Sequence, residues 1–308
     1  MRDAFETWDG RGQFAGHETF PLRLLWLKKA YDAVAEGVPV GFFSEPEAIA
    51  RFGVGRNMAV AMRHWATAAG VIEEVNRELH PSLLGQELLS DEGWDPFLEL
   101  PATLWLTHWR FASHPAQTTT IYFCFNAIAA PDFEASYLVQ ELDALATRRG
   151  WRVSTVTLKR DVEVFLRSYV RRADATIEDA AEPLLAELGL IRDVKPSGHF
   201  EFVRGAKPTL PDGVFAYALS EFWQAHGEAS TLSAEQICYG PGSPGRVFKL
   251  DEDSLVTRLM RMEELTDGAW LWTDTAGLKQ IQRSREIKPI TLLKKAYRSN
   301  ALKRRRAA

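Results

Sequence analysis

The sequence predicts a mainly α, α+β fold made of tandem winged-helix-like modules with small β wings. Three observations carry that prediction. Residues 22–73 read as helix, short helix, tight glycine turn, helix and strand, the element order of a winged helix-turn-helix. Ala69-Gly70-Val71-Ile72-Glu73 and Leu188-Gly189-Leu190-Ile191-Arg192 both close a helix with Gly and enter a strand through two aliphatics. A further helix pair, Val214–His226 and Ser233–Cys238, leads to a helix over Asp251–Glu264 and a strand at Trp270-Leu271-Trp272. Units are accordingly expected at 1–115, 116–205 and 206–282, followed by a basic tail at 283–308.

Each element has a local reason. After Pro21, apolar positions Leu24, Leu25, Leu27, Tyr31 and Val34 recur at helical spacing, predicting a helix from Leu22 to about Ala35. Ser44-Glu45-Pro46-Glu47 offers a Ser cap and Pro in the first turn of a second helix reaching Phe52. Gly53-Val54-Gly55 turns the chain into a third helix with Met58, Met62, Trp65, Ala66 and Ala69 on one face. Arg56, Asn57, Arg63 and His64 fall on the other face, types that contact phosphates and base edges. Thr118–Ile128 fits a strand or a buried helix, and periodicity does not choose. Phe133–Arg149, Thr157–Tyr169 and Ile177–Leu188 read as helices, and Leu190–Val203 as an extended segment.

Composition, 46% apolar and 25% charged, is that of a globular protein in solution, and no apolar run has membrane-spanning length. The acidic, aromatic start is not a secretory signal. Cys124 and Cys238 have no metal-binding spacing and read as buried thiols, so a cytoplasmic setting is expected. From Arg283 onward there are ten Lys or Arg against Glu286 alone, which leaves the rest at −13 for the chain to total −4. Such a tail suits a polyanion such as DNA, and equally a solvated terminus.

Two stretches stand out. Phe14-Ala15-Gly16-His17-Glu18-Thr19-Phe20-Pro21 places His and Glu between bulky anchors, either as a cap with firm hydrogen bonds or as chemistry. In the chemical reading His17 is a general base or ligand and Glu18 a ligand or the group that orients it. Tyr239–Leu250, with Gly240, Pro241, Gly242, Pro244 and Gly245, is either a phosphate cradle using Ser243, Arg246 and Lys249 or a turn packing Phe248 and Leu250. It lacks a Walker ending.

Metal-assisted phosphodiester cleavage needs clustered carboxylates. Candidates are Glu18, Asp161 with Glu163, and Glu178 with Asp179, with His17 and His64 as bases. Asp161 and Glu163 point to different faces of their helix, so at most one joins a given site. Metal candidates are thus Glu18 and Asp161, with Mg2+ or Mn2+ as the ion. Pro131-Asp132 with Glu141-Leu142-Asp143 lacks the Lys of a restriction-nuclease core, and hydrolase elbows and dinucleotide fingerprints are absent.

The motif 14–21, the turn Gly53–Met58 and the stretch Gly242–Leu250 together resemble domain-of-unknown-function family 4007 over nearly the full length. Asp161–Tyr169, Glu178–Ile191 and Asp274–Leu278 add to the likeness. Members are associated with bacterial DNA phosphorothioation in phage defence. The resemblance implies nicking or holding one DNA strand beside a cysteine desulfurase, an ATPase and an ATP-pyrophosphatase-like sulfur transferase. No catalytic residue carries over by motif, so His17 and Glu18 rest on their chemistry. Arg56, Asn57, Arg63, Ser243, Arg246 and Lys249 are the expected DNA contacts. The rival expectations are a non-catalytic winged-helix adaptor recruiting the sulfur-transfer enzymes and a transcriptional repressor.

Overall fold

Pro21 and a left-handed Leu25 (φ 65°) delay the first helix, so α1 spans Trp26–Ala35 rather than starting at Leu22. It buries Trp26, Leu27, Ala30, Tyr31 and Val34. The structure, a computed structural model, describes residues 5, 6, 8–171, 183–195 and 198–307. A 3-10 turn at Phe42–Ser44 precedes α2 (Pro46–Phe52), whose N-cap is Glu45 and not Ser44. Gly53, at φ 67°, closes α2. Helix α3 (Arg56–Ala68) buries Ala59, Met62, Trp65 and Ala66 as its pattern requires, and it buries His64 as well, which the sequence places outward. Strands β1 (Ile72–Val75) and β2 (Glu78–Pro81) then form a hairpin. Its two turn residues, Asn76 (φ 53°) and Arg77 (φ 66°), are both left-handed, matching the twist of the strands. Helix α4 (Leu83–Leu89) follows, capped by Ser82.

Helices α5 (Pro101–Ala112) and α6 (Thr119–Asn126) run through the middle of the molecule. Every residue of α6 is buried, which resolves 118–128 as helix: a segment apolar on all sides carries no periodicity to read. β3 (Asp132–Glu134) leads straight into α7 (Ala135–Arg149) and α8 (Thr155–Tyr169). The expected helix Ile177–Leu188 lies partly outside the described residues, and its end, Leu184–Leu188, is a 3-10 turn. β4 (Ile191–Lys195) and β5 (His199–Phe202) complete an antiparallel sheet in the order β3-β5-β4.

The last unit repeats that plan. After α9 (Asp212–Gln224), β6 (Thr231–Ser233) leads straight into α10 (Ala234–Tyr239), α11 (Pro244–Val247), α12 (Glu252–Met260) and α13 (Met262–Leu265). Arg261 divides the helix expected over Asp251–Glu264. β7 (Trp270–Thr275) and β8 (Leu278–Arg283) close a sheet in the order β6-β8-β7. In both sheets the short first strand pairs with the second strand of the hairpin. The fold is therefore α+β, mainly helical, with small antiparallel sheets.

Part of the segment 283–308 packs against the body of the protein. Helix α14 (Pro289–Ala307) buries Leu292, Leu293, Ala296 and Tyr297 against α9. Gly213 permits this approach, since a Cβ there would stand 2.6 Å from Ala296 N. Lys295 donates to Leu265 O at 2.5 Å and Asp267 Oδ2 at 3.0 Å, so part of the basic charge is already paired. One apolar cluster, from Phe5 to Tyr297, runs through the units expected at 1–115, 116–205 and 206–282. Cys124 and Cys238 are free, buried thiols. No helix among the described residues is long and apolar enough to cross a membrane.

Candidate functional site

His17 sits in a loop whose backbone is unusual. Ala15, Glu18 and Thr19 have φ of 60°, 49° and 74°. The left-handed region is unfavourable for residues with a Cβ, and most so for β-branched Thr. Packing around the loop over-determines this conformation. Gln13 N donates to Thr119 Oγ1 at 2.8 Å and Ala15 N to Asp161 Oδ1 at 2.8 Å, pinning the segment to α6 and α8. Gly16 passes so close to α3 that a Cβ would lie 2.5 Å from His64 Nδ1.

The His17 ring is 7% exposed and lies parallel to the Trp65 indole, 14° between planes and 5.9 Å between centroids. Its Nδ1 accepts from Thr19 N at 3.2 Å, so the neutral ring carries its proton on Nε2. Nε2 faces Asp161 Oδ1 at 3.2 Å. Asp161, on α8 and 3% exposed, also accepts from Thr120 Oγ1 through Oδ2 at 3.1 Å. His64 stands edge-on to His17 at 6.0 Å. Burial, with a smaller contribution from His17, pushes its pKa down to about 3, so it is neutral. Trp65 Nε1 donates to Phe20 O at 3.0 Å and ties the end of the motif to α3. The cavity among these groups is about 20 Å³, room for about one water.

The structure thus brings together His17, Asp161 and His64. Glu18 is half-buried in the same loop. Mg2+ or Mn2+ is held by several oxygen ligands, with carboxylates supplying charge. Here the one central carboxylate, Asp161, already accepts from Ala15 N, Thr120 and His17. Among the described residues no three His, Cys, Asp or Glu stand close enough to hold a metal. The donor set around His17 does not fit such an ion, and Glu178 and Asp179 lie outside the described residues.

The expected DNA contacts divide into two groups. Arg56 and Asn57 are exposed on the first turn of α3, which has no side-chain cap. Arg63 is partly exposed but donates to Glu74 Oε2 at 2.7 Å and Val40 O at 3.3 Å. The glycine-proline stretch faces inward. Ser243 is fully buried and caps α11, accepting from Arg246 N at 3.3 Å. Arg246 donates to Tyr239 O at 2.6 Å and to Asn126 O. Lys249 is 1% exposed, donates to Phe125 O at 2.7 Å, and lies 4.0 Å from the Phe202 ring centroid. Burial holds its pKa well below that of an ordinary lysine. Of the two readings of this stretch, the inward turn that packs Phe248 and Leu250 is the one the structure adopts. Its glycines allow close backbone approach: a Cβ on Gly245 would meet Cys238 O at 2.4 Å. Sequence reasoning left out Thr119 and Thr120, whose roles depend on α6 being a buried helix, and placed Trp65 only in the apolar face of α3.

A family model described as protein of unknown function (DUF4007) matches residues 14–297. The chain belongs to this family. Two solved structures are similar over nearly the whole molecule, SspB and magnesium-ion-bound SspB, with TM-scores of 0.82 and 0.81. Each is 26% identical, with 94% of this chain and 87% of the other covered. No curated protein matches.

Proposed function

We propose that this protein is the SspB-like component of a DNA phosphorothioation system in phage defence. It engages DNA and nicks one strand, so that a cysteine desulfurase, an ATPase and an ATP-pyrophosphatase-like sulfur transferase place sulfur in the backbone. The observation that carries this reading is the likeness to SspB along 94% of the chain. The exposure of Arg56 and Asn57 on the first turn of α3 supports the DNA contact in this reading. At the buried network, His17 is in the tautomer with Nδ1 as acceptor and Nε2–H toward Asp161. Both ring nitrogens are engaged, so proton transfer through His17 requires the 15–19 loop to rearrange. Its left-handed residues are where such a change would relieve strain.

A second reading, a non-catalytic DNA-binding adaptor, is favoured by that same closure and by the poor fit of the donor set to a metal. Relaxation of supercoiled plasmid with Mg2+ or Mn2+ separates the two. Wild type is expected to yield open circles, with His17→Ala and Glu18→Gln slowed at least about tenfold. Equal nicking by all three keeps the activity and removes this site from it. No nicking by folded wild type that still retards DNA in a gel establishes the adaptor.

A further inference from the structure

A second charged concavity lies outside the His17 network. The α7–α8 connection is Arg148-Arg149-Gly150-Trp151-Arg152, and Gly150 closes α7 in the left-handed conformation at φ 64°. The segment Gly10-Arg11-Gly12 crosses it closely: a Cβ on Gly12 would fall 2.7 Å from the Phe14 ring and 2.8 Å from the Trp151 ring. Between them opens a cleft of about 890 Å³, lined by Arg11, Arg148, Arg149, Arg152 and Trp151, with Asp9 as its acid.

A structural role accounts for one of these arginines. Arg149 donates to Phe5 O at 2.6 Å and to Trp8 O, fastening the N-terminal segment. Arg11, Arg148 and Arg152 are exposed and have no hydrogen-bond or ion-pair partner among the described residues. Arg148 also favours the negative end of α7, which explains one cation but not the convergence with Arg11 and Arg152. In a chain carrying −13 outside residues 283–308, this local excess is unlike its surroundings. Unpaired guanidiniums gathered in one cleft repel one another unless an anion lies among them. The cleft also has an aromatic wall. Trp151 is half-buried and meets Trp8 at 5.9 Å and Phe14 at 6.0 Å between ring centroids.

Cations for phosphates beside aromatic faces for bases is the combination that holds unpaired nucleic acid without reading its sequence. A duplex keeps its bases stacked and would leave the rings unused. We propose that this cleft binds a single DNA strand, with Arg11, Arg148 and Arg152 on its phosphates and Trp151 against a base. The inference rests on the reading of this protein as a DNA-handling component and deepens it by naming the form of DNA held. Phe14, in the wall of the cleft, precedes the 15–19 loop in the chain.

The test is fluorescence anisotropy of a labelled single strand and of its duplex. Full-length wild type is compared with Arg11→Ala/Arg148→Ala/Arg152→Ala and with Arg56→Ala/Asn57→Ala. The triple variant should lose single-strand affinity at least about tenfold at low salt and flatten the log–log salt slope by roughly 2, with duplex affinity changed less than about twofold. Arg56→Ala/Asn57→Ala should show the converse preference. A strand bearing a photoreactive halogenated pyrimidine should crosslink to the peptide containing Trp151. The substituted side chains are exposed and Arg149 is left intact, so an unchanged melting temperature accompanies the expected loss. Unchanged single-strand affinity of the triple variant, or adducts only elsewhere, overturns the cleft while the DNA-handling reading stands. Failure of wild type to bind either DNA overturns both.

Discussion

Residues 14–21 and 239–250 are both glycine-marked and both carry charged or titratable groups, yet the chain uses them differently. The first threads a strained loop between α3, α6 and α8 and ends with His17 against Asp161 beside a small cavity. The second folds α10 and α11 tightly together and sinks Lys249 onto the Phe125 carbonyl and the Phe202 ring. In the first, glycine yields to a side chain, His64; in the second it yields to backbone, Cys238 O. The difference teaches that glycine and proline density marks close approach, while the nature of what is approached, side chain or backbone, separates the two stretches.

The sharpest break of the comparison is a methyl group added to each. Gly245→Ala places a Cβ 2.4 Å from a backbone oxygen that cannot swing away. It should cost about 4 kcal/mol or prevent folding, read by urea denaturation. Gly16→Ala meets the His64 ring instead, which can turn, so about 1–2 kcal/mol is expected. His64→Ala should recover most of that loss in a double-mutant cycle, and additive effects would show that His64 is not the obstacle.

Next in size is Asp161→Ala. It strips the acceptor from Ala15 N, Thr120 Oγ1 and His17 Nε2 at once, so about 3 kcal/mol should be lost. Amide exchange should rise first at Ala15. Lys249→Met in the other stretch removes a buried amine that is costly to ionise but leaves Phe125 O without its donor, so a loss of about 1–2 kcal/mol at neutral pH is expected. A larger loss there would mean that the Lys249–Phe125 bond fixes the stretch more firmly than the glycines do.

Much of the architecture is legible in local chemistry. The α2 start at Pro46, the Gly53 stop, the α3 stripe and the α+β class follow from propensity and period. What was not legible depends on partners far along the chain. His64 is on the polar side of α3 by spacing, but the 14–20 segment covers that side. Lys249 reads as a surface cation until α6 is known to supply a carbonyl. Asp161 was one carboxylate among several, and only the crossing of α8 by residues 13–17 couples it to His17. The arginine cleft was open to notice in Arg148-Arg149-Gly150-Trp151-Arg152, but its fourth arginine, Arg11, arrives through tertiary structure.

The smallest expected effect compares the two regions through pH. Each buries one neutral histidine, His64 beside the first and His108 beside the second. His108 donates from Nε2 to Val247 O at 2.8 Å and accepts at Nδ1 from Tyr169 Oη at 2.8 Å. Burial lowers the pKa of each to about 3, from 6.5. Below 6.5 the unfolded chain takes up protons that the folded one refuses, so stability is full above 6.5 and falls as pH drops toward 3. Between pH 7 and about pH 6 the loss should be under about 1 kcal/mol per histidine, steepening lower down. His64→Leu should remove its share of that acid limb at little cost near neutrality. His108→Leu should remove an equal share but lose about 1–3 kcal/mol at every pH, because it leaves Val247 O and Tyr169 Oη without their partner. Urea midpoints at several pH values read both quantities. If the two variants cost the same near neutrality, the buried polar bonds of the second region contribute no more rigidity than the aromatic packing of the first.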